Sequence, residues 1–226
     1  MEILKDKIFC AGLQRAVRLL LIGDTHISIC DARESEEVRA IVARRRRDFD
    51  KWTACDSMAA SFALFDYARA SKPDCVVFVG DVFDFPAALA IERVQDALGG
   101  VPYVYAPGNH DWADVLGVPD AAHKMRYRRR LEGFARSAVD VNARTVCGLR
   151  LVGADNALER FDPGQAEKMR AEFAGDEPCV LFVHVPFYAD TLRADVLRVW
   201  KQLIVTCAPD DAAGEELRVR DAVAEY

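Results

Sequence analysis

Four short apolar runs that lack the usual alternation with polar residues are the clearest pattern along this chain. They cover residues 17–23, 75–80, 101–106 and 179–183. A strand with one wet face alternates apolar and polar positions, whereas a strand covered on both faces can be apolar throughout. We therefore predict four strands buried in an α/β sheet that is covered by helices.

Stretches with helical character separate or follow these runs. Residues 32–71 contain no internal proline or glycine and predict one long helix or two consecutive helices. Residues 86–98 begin with proline and are followed by two glycines, which are typical start and stop signals of a helix. Residues 192–203 and 218–226 predict two more helices.

A local pattern at residues 145–152 predicts an antiparallel pair of strands. The sequence TVCGLRLV places Cys147 and Gly148 between two apolar segments, where a tight turn is favoured. Strands that alternate with helices, together with one hairpin, predict the fold class. We expect an α/β fold with a layered, mixed β-sheet core flanked by helices.

Length and composition limit the domain organisation and the partners. The chain has 226 residues, of which 51% are apolar and 29% charged, as in a globule with a real core. No repeat or low-complexity linker divides it, so we expect residues 1–226 to form a single domain. A net charge of −6 argues against broad nucleic-acid binding, although it is compatible with a nuclease that contacts phosphate only at metal ions.

Cysteine usage and the N-terminal residues bear on the compartment. The seven cysteines are scattered and contain no CxxC pair, so they predict reduced thiols rather than disulfides or a zinc site. The first 23 residues carry charges throughout and lack the uninterrupted apolar segment of a signal peptide. No stretch approaches the ~18 apolar residues of a membrane span. The expectation is a cytoplasmic protein with no membrane partner.

Candidate metal ligands stand where each apolar run ends. The first run ends in Gly-Asp-Thr-His (23–26) and the second in Gly-Asp-Val-Phe-Asp (80–84). The third leads to Gly-Asn-His-Asp (108–111) and the fourth to His-Val-Pro (184–186). Residues beyond the carboxyl ends of the strands of an open α/β sheet meet at one edge, where ligands bind. The four segments therefore predict one shared site.

The residue types in these motifs suit a pair of divalent metal ions. Two ions roughly 3.5–4 Å apart can hold a phosphate, activate a water and offset the charge of an in-line displacement. Carboxylates, an amide oxygen and neutral imidazoles favour Mn, Fe or Zn over Mg or Ca. Asp24 and His26 are separated by one residue and would point the same way in an extended chain, so both could reach one ion.

Taken in order, Asp-x-His, Gly-Asp-x-x-Asp, Gly-Asn-His-Asp and His-x-Pro resemble the motifs of the calcineurin-like metallophosphoesterases, over roughly residues 18–187. The resemblance implies the calcineurin-like phosphoesterase fold and hydrolysis of phosphate mono- or diesters by a metal-bound hydroxide. It also implies two divalent ions as cofactors, with Mn²⁺ favoured and Fe or Zn as alternatives. Asp24 and His26 would bind the first ion, Asp81 would bridge both, and Asn109 and His184 would bind the second.

The resemblance also implies roles for residues that do not bind metal. His110 would act as a general acid or hydrogen-bond donor and would be oriented by Asp111. Asp84 would stand behind the ligands. Trp112 beside the third motif could line the substrate or pack beneath the loop, and both readings stay open. The fourth histidine, His123, matches no motif and is interpreted as solvent-facing or helix-capping.

Single motifs and the two basic runs are weaker signals than the motifs taken together. Asp-x-His or Gly-Asp-x-x-Asp alone is more often a turn, and Gly-Asn-His-Asp is more specific but in isolation could also be a strand-ending turn. Taken together, with three of the four histidines, the motifs favour metal binding. The basic runs at 44–47 and 126–130 are interpreted as solvated helix surface rather than phosphate-binding patches, and the second is the better candidate for a patch.

The motif that usually closes the family's site, Gly-His-x-His, does not occur in this sequence. The chain could stop before that motif and its strands, or a divergent member could complete its metals with water, other side chains or a partner chain. We favour the first explanation, because residues 218–226 resemble an interrupted element. A non-catalytic scaffold of the same fold that binds a protein partner is the alternative function, and bound metal would distinguish it from an enzyme.

Overall fold

Strands and helices alternate along the computed structural model, which describes residues 3–117, 120–209 and 214–225. The strands within these ranges are β1 (Leu19–Ile22), β2 (Cys75–Val79), β3 (Tyr103–Ala106), β4 (Val141–Val146), β5 (Leu149–Ala154) and β6 (Cys179–Phe182). The α-helices are α1 (Glu36–Thr53), α2 (Ser57–Ser71), α3 (Ala88–Leu98), α4 (Ala121–Ala135), α5 (Gln165–Phe173), α6 (Asp190–Trp200) and α7 (Glu215–Glu225). The four predicted strands are present as β1, β2, β3 and β6, of which β2 and β3 are buried as predicted and β1 and β6 only in part.

The strands form two sheets of three. In the first sheet β2 lies between β1 and β3, and all three strands are parallel. In the second sheet β5 lies between β4 and β6, antiparallel to β4 and parallel to β6. The mixed α/β fold class is therefore confirmed. Its division into two small sheets is a feature that the strand pattern did not specify.

Apolar side chains on alternate positions of the strands build separate cores on the two faces of each sheet. Between the sheets lie Cys75, Val77 and Val104 of the first sheet and Leu149, Leu151 and Phe182 of the second. The outer face of the first sheet packs against helices α1 to α4, and that of the second against α5 and α7. Strands β2 and β3 are covered on both faces, which explains why their sequences are apolar without alternation, whereas Leu21 of the edge strand β1 is 55% exposed.

The two sheets approach each other closely at β3 and β5. A Cβ atom on Gly153 would lie 2.7 Å from the carbonyl oxygen of Tyr105, so only glycine fits there. The side-chain amide of Asn142 donates to this same carbonyl at 2.6 Å and accepts from the Tyr105 backbone N–H at 3.4 Å. The amide thus pairs polar groups on the free edge of β3 and ties the sheets together.

Local chemistry accounts for the helix and hairpin boundaries. Residues 32–71 form two helices rather than one, because Asp56 caps a second helix by accepting from the backbone N–H of Ala59 at 3.0 Å. Gly99 ends α3 in the left-handed conformation. The predicted hairpin is confirmed as β4 and β5, with positive φ at both Cys147 and Gly148, as its two-residue turn requires.

The C-terminal helices differ from the prediction only at their ends. Helix α6 begins two residues earlier than predicted and ends at Trp200, and α7 covers the helix predicted at 218–226, except that residue 226 lies outside the described residues. Helix α5 was not predicted. It is short, and the packing of Met169 and Phe173 onto the second sheet stabilises it rather than local propensity. Among the described residues, no helix combines the length and apolar character needed to cross a bilayer.

Candidate metal centre

The loops that follow β1 and β2 continue side by side beyond the strands. The backbone N–H of Asp24 donates to Gly80 O at 3.1 Å, and that of His26 donates to Asp81 O at 2.9 Å. A further bond from Ile27 N to Val82 O, at 2.9 Å, keeps the two chains in register. The first two sequence motifs are therefore held against each other by main-chain bonds.

Three of the predicted ligands have a backbone conformation that residues other than glycine rarely adopt. The φ angles of Asp24, His26 and Asp81 are 53°, 41° and 52°, within the left-handed region. The extended backbone predicted for Asp24 and His26 is therefore wrong, although the two side chains still converge, with His26 Nε2 3.9 Å from Asp24 Oδ1. Such backbone strain persists where the surrounding structure enforces it, commonly at functional sites.

The Asp81 carboxylate lies at the middle of the cluster and is only 4% exposed. Its Oδ1 accepts from the backbone N–H of His110 at 3.0 Å. Its Oδ2 lies 3.7 Å from His26 Nε2 and 3.6 Å from His184 Nε2. Burial raises the pKa of this carboxyl, against the opposing effect of the nearby imidazoles. One carboxylate oxygen thus faces ring nitrogens from two different loops.

The protonation of His184 follows from its hydrogen bond. Its Nδ1 lies 3.0 Å from the carbonyl oxygen of Val79, and a carbonyl can only accept, so Nδ1 carries the proton. In the neutral ring, Nε2 then presents a lone pair to the Asp81 Oδ2 atom. Two acceptors that face each other at 3.6 Å are stabilised by a cation between them, and this spacing suits two ligands of one ion with bonds of ~2.0–2.2 Å. The donor set therefore fits a divalent metal.

A second carboxylate, Asp84, stands behind the histidines. Its Oδ1 lies 2.8 Å from His110 Nδ1 and 3.5 Å from His26 Nδ1. Arg45 of α1 donates to both of its oxygens at 2.9 Å. Burial alone would raise the pKa of Asp84, but the His110, His26 and Arg45 side chains bring it well below its usual range. Asp84 is thus an anion that can hold two imidazole rings.

His110 and Asn109 share a further carboxylate, that of Asp114. His110 Nδ1 lies 3.2 Å from Asp114 Oδ1, and the Asn109 amide nitrogen donates to Asp114 Oδ2. This bond leaves the amide oxygen of Asn109 as the atom available for a metal. Burial by itself lowers the pKa of His110, but contact with Asp84 and the charges of Asp81 and Asp114 raise it above the ordinary value.

Comparison with known proteins identifies the family of the chain. The family model described as calcineurin-like phosphoesterase matches residues 17–206. The chain belongs to the calcineurin-like phosphoesterase family. The matched region contains every residue that we predicted at the site, and no curated protein matches the chain. The chain therefore contains a calcineurin-like phosphoesterase domain, and its His26, Asp81 and His110 side chains form a possible metal-binding cluster.

The site of this calcineurin-like phosphoesterase differs from the sequence prediction in the role of Asp111. Its carboxylate accepts from the backbone N–H groups of Phe83 and Gly108, both at 2.8 Å, and so joins the loops after β2 and β3. Burial, followed by the charge of Asp81, raises the pKa of Asp111 to about 7. The carboxylates against the His110 ring are those of Asp84 and Asp114, so the predicted orientation of His110 by Asp111 is corrected.

Trp112 packs beneath the loop rather than lining a substrate cleft. Its side chain is fully buried, and the indole N–H donates to Asp155 at 3.2 Å. The Lys124 ammonium binds the same carboxylate at 2.8 Å and lies 5.1 Å from the indole ring. His123 is on the first turn of α4, with its Nε2 3.2 Å from the carbonyl oxygen of Ala113, and it is not among the contacts of the metal cluster.

The two basic runs do not behave as uniform solvated surface. Arg45 belongs to the first run but binds Asp84, so the interpretation of residues 44–47 as solvated surface is wrong at that position. In the second run, Arg130 pairs with the buried Glu34 at 2.7 Å and Arg128 with Glu132 at 2.8 Å. These guanidinium groups already neutralise carboxylates, which disfavours a phosphate-binding patch.

Two further residues support the site and were missed by the sequence analysis. Asn156 is fully buried, and its Oδ1 accepts from the backbone N–H groups of His184 and Val185 at 3.1 and 3.0 Å, which fixes the loop after β6. Phe49 of α1 stacks on the His26 ring, with centroids 4.8 Å apart. Phe49 follows Arg45 by one helical turn, a spacing that could have indicated a shared face, whereas nothing in the sequence singles out Asn156.

A first prediction concerns the glycine that precedes Asn109. A Cβ on Gly108 would lie less than 3.0 Å from the carboxylate and backbone nitrogen of Asp81, and the Asp81 backbone is held by the ladder to His26. We expect Gly108→Ala to lower the free energy of unfolding by about 1–3 kcal/mol, the usual cost of overpacking. Urea denaturation of the metal-free protein measures this.

Gly133→Ala is the matched control for that change. Gly133 lies in α4 with open space around its Cβ position, so alanine there should be neutral or stabilising by up to about 1 kcal/mol. Equal stability of the Gly108→Ala variant and the wild type would show that the Asp81 loop has room to move, contrary to the close approach described above.

Proposed function

We propose that this phosphoesterase hydrolyses phosphate mono- or diesters with two divalent metal ions, of which Mn²⁺ is the favoured species and Fe or Zn the alternatives. The observation that carries the proposal is Asp81 Oδ2, which faces the Nε2 atoms of both His26 and His184 at 3.7 and 3.6 Å. A carboxylate between two imidazoles from different loops is suited to bridging two ions. Membership of the phosphoesterase family supports phosphate esters as the substrates.

Each proposed ligand set has a distinct origin. Asp24, His26 and Asp81 would hold the first ion, and Asp81, Asn109 and His184 would hold the second. When bound, the ions would polarise the phosphate oxygens and lower the pKa of a water molecule. The first set lies on the paired loops after β1 and β2, while the second set depends on the loops after β3 and β6.

The protein's own groups would position the reaction. Asp84, held by Arg45, lies 3.5 and 2.8 Å from the Nδ1 atoms of His26 and His110 and so favours ring orientations in which the opposite edges face the centre. His110 would donate a proton or a hydrogen bond to the departing oxygen. Contact with Asp84 and the charges of Asp81 and Asp114 raise its pKa, which favours the protonated, donating form.

The charges of the two ligand sets predict unequal metal affinity. The first set has two carboxylates, Asp24 and Asp81, whereas the second has only the shared Asp81. We expect one Mn²⁺ to bind firmly at Asp24, His26 and Asp81 and the second to bind at least about tenfold more weakly, because ions that share a carboxylate also repel each other. Titration calorimetry with Mn²⁺ measures both affinities.

The same preparation tests the function itself. Hydrolysis of p-nitrophenyl phosphate and of bis-p-nitrophenyl phosphate should be slow without added metal and should rise as Mn²⁺ fills the weaker site. Two tight and equivalent sites would contradict the assigned ligand sets and indicate that other residues complete the shells. Purification with little metal and no hydrolysis at saturating Mn²⁺ would favour the alternative, a non-catalytic scaffold that binds a protein partner.

A further inference from the structure

A row of side chains on one side of helix α1 extends from the protein core to the metal centre. Val38, Val42, Arg45, Phe49 and Trp52 follow one another at intervals of three or four residues, so they share one face of the helix. The two valines pack in the core beneath the first sheet. The last residue of the stripe, Trp52, remains 64% exposed. This row of side chains on α1 therefore continues past the core and along the rim of the site.

Trp52 is connected to the metal centre by ring contacts. Its indole meets Phe49 edge to face, with centroids 5.5 Å apart and an interplanar angle of 89°. Phe49 in turn stacks at 27° on His26, one of the proposed ligands. Phe49 is therefore the ring that lies between the indole and His26.

Arg45 contacts the Phe49 and Trp52 rings as well. Its guanidinium carbon lies 4.9 Å from the Phe49 ring and 5.8 Å from the Trp52 ring. The guanidinium is itself held by two bonds to Asp84, which contacts His110. The exposed indole of Trp52 is thus connected, through Arg45 and Asp84, to the proposed donor His110.

We propose that the Trp52 indole binds a planar aromatic group on the phosphate ester, so that the preferred substrates carry an aryl ring or a nucleobase. This inference rests on the proposed function, because the metals must hold the phosphate while the ring lies against Trp52. A flat, exposed indole offers such a group a stacking surface without requiring specific hydrogen bonds, which makes it tolerant of ring identity.

The test uses phosphonates, which bind without being hydrolysed. Affinities of methylphosphonate, phenylphosphonate and the phosphonate analogue of adenosine monophosphate are measured by calorimetry on the Mn²⁺-loaded chain. We expect wild type to bind at least one of the two aromatic probes about tenfold more tightly than methylphosphonate, the usual worth of one stacked ring. The probe with the larger preference identifies the aryl or the nucleobase class.

Trp52→Ala should abolish this preference and leave methylphosphonate binding unchanged. Trp200→Ala is the matched control, because Trp200 is 63% exposed and lies on α6, which buries none of its residues. No aromatic preference in wild type, or a preference that survives in Trp52→Ala, would overturn the inference. Failure of the proposed function has a separate readout, since it appears as absent hydrolysis of p-nitrophenyl phosphate whatever the phosphonates do.

Discussion

Asp81→Asn is expected to remove bound metal and activity more completely than any other single substitution at the centre. The asparagine can still accept from the His110 backbone N–H, so the loop should fold. The lost charge, however, belongs to the only carboxylate shared by both proposed ligand sets. Losses of groups behind metal ligands cost roughly 10- to 100-fold in affinity, and loss of the bridging anion should exceed that range for both ions.

Asp84→Asn is the matched control for the bridge. It removes one negative charge from the same loop, and Arg45, His26 and His110 lose the anion that they contact. Because Asp84 is not a proposed ligand, bound metal should fall less than in Asp81→Asn. Elemental analysis of both purified variants, together with Mn²⁺ titration, makes the comparison. Equal losses of metal in the two variants would mean that Asp81 is not the bridge.

His110→Asn should lower kcat by about 10²–10⁴ while leaving the metal content near that of wild type. A positioned acid typically contributes a factor of this size, and asparagine cannot deliver a proton. The structure makes this a demanding test, because ligand atoms of His26, Asp81 and His110 all lie within 4.8 Å of one another. The geometry alone would thus also allow His110 to bind metal.

Metal content and kcat together separate these two roles. His123→Asn is the control, since this ring contacts the carbonyl of Ala113 and should be dispensable for both measurements. A His110→Asn variant that purifies with less metal than wild type would make His110 a ligand. A variant with unchanged metal and unchanged kcat would exclude both roles.

The strands, the helix ends and the positions of the motifs could be predicted from the sequence, because they depend on residues that are close together in the chain. Buried strands appear as apolar runs, helix ends appear as capping residues and glycines, and the motifs stand where the strands stop. Since parallel strands carry their carboxyl ends to a common edge, the meeting of Asp24, His26 and Asp81 follows from the strand pattern. His184 follows β6 of the second sheet, so its approach to Asp81 depends on how the two sheets pack. The hairpin at Cys147 and Gly148 is equally local.

The residues that support the site could not be predicted, because their roles depend on contacts with residues far away in the chain. Arg45 reaches Asp84 across 39 positions, and Asn156 reaches His184 across 28. Neither residue carries a local mark that distinguishes it from a solvated side chain. Asp84 contacts His110, whereas Asp111 accepts hydrogen bonds from two backbone N–H groups instead. These bonds form only when the loops after β2 and β3 come together.

The sequence by itself therefore determined the class of the fold and the family, and it predicted the set of residues at the site. The tertiary structure decided how that set is arranged. Asp24, His26 and Asp81 take left-handed conformations where main-chain bonds join the first two loops, and the loop after β6 places His184 Nδ1 3.0 Å from the carbonyl oxygen of Val79. The physical reason for this division is that the local sequence sets the chemical type of each ligand, whereas packing between distant segments sets the direction of its lone pair.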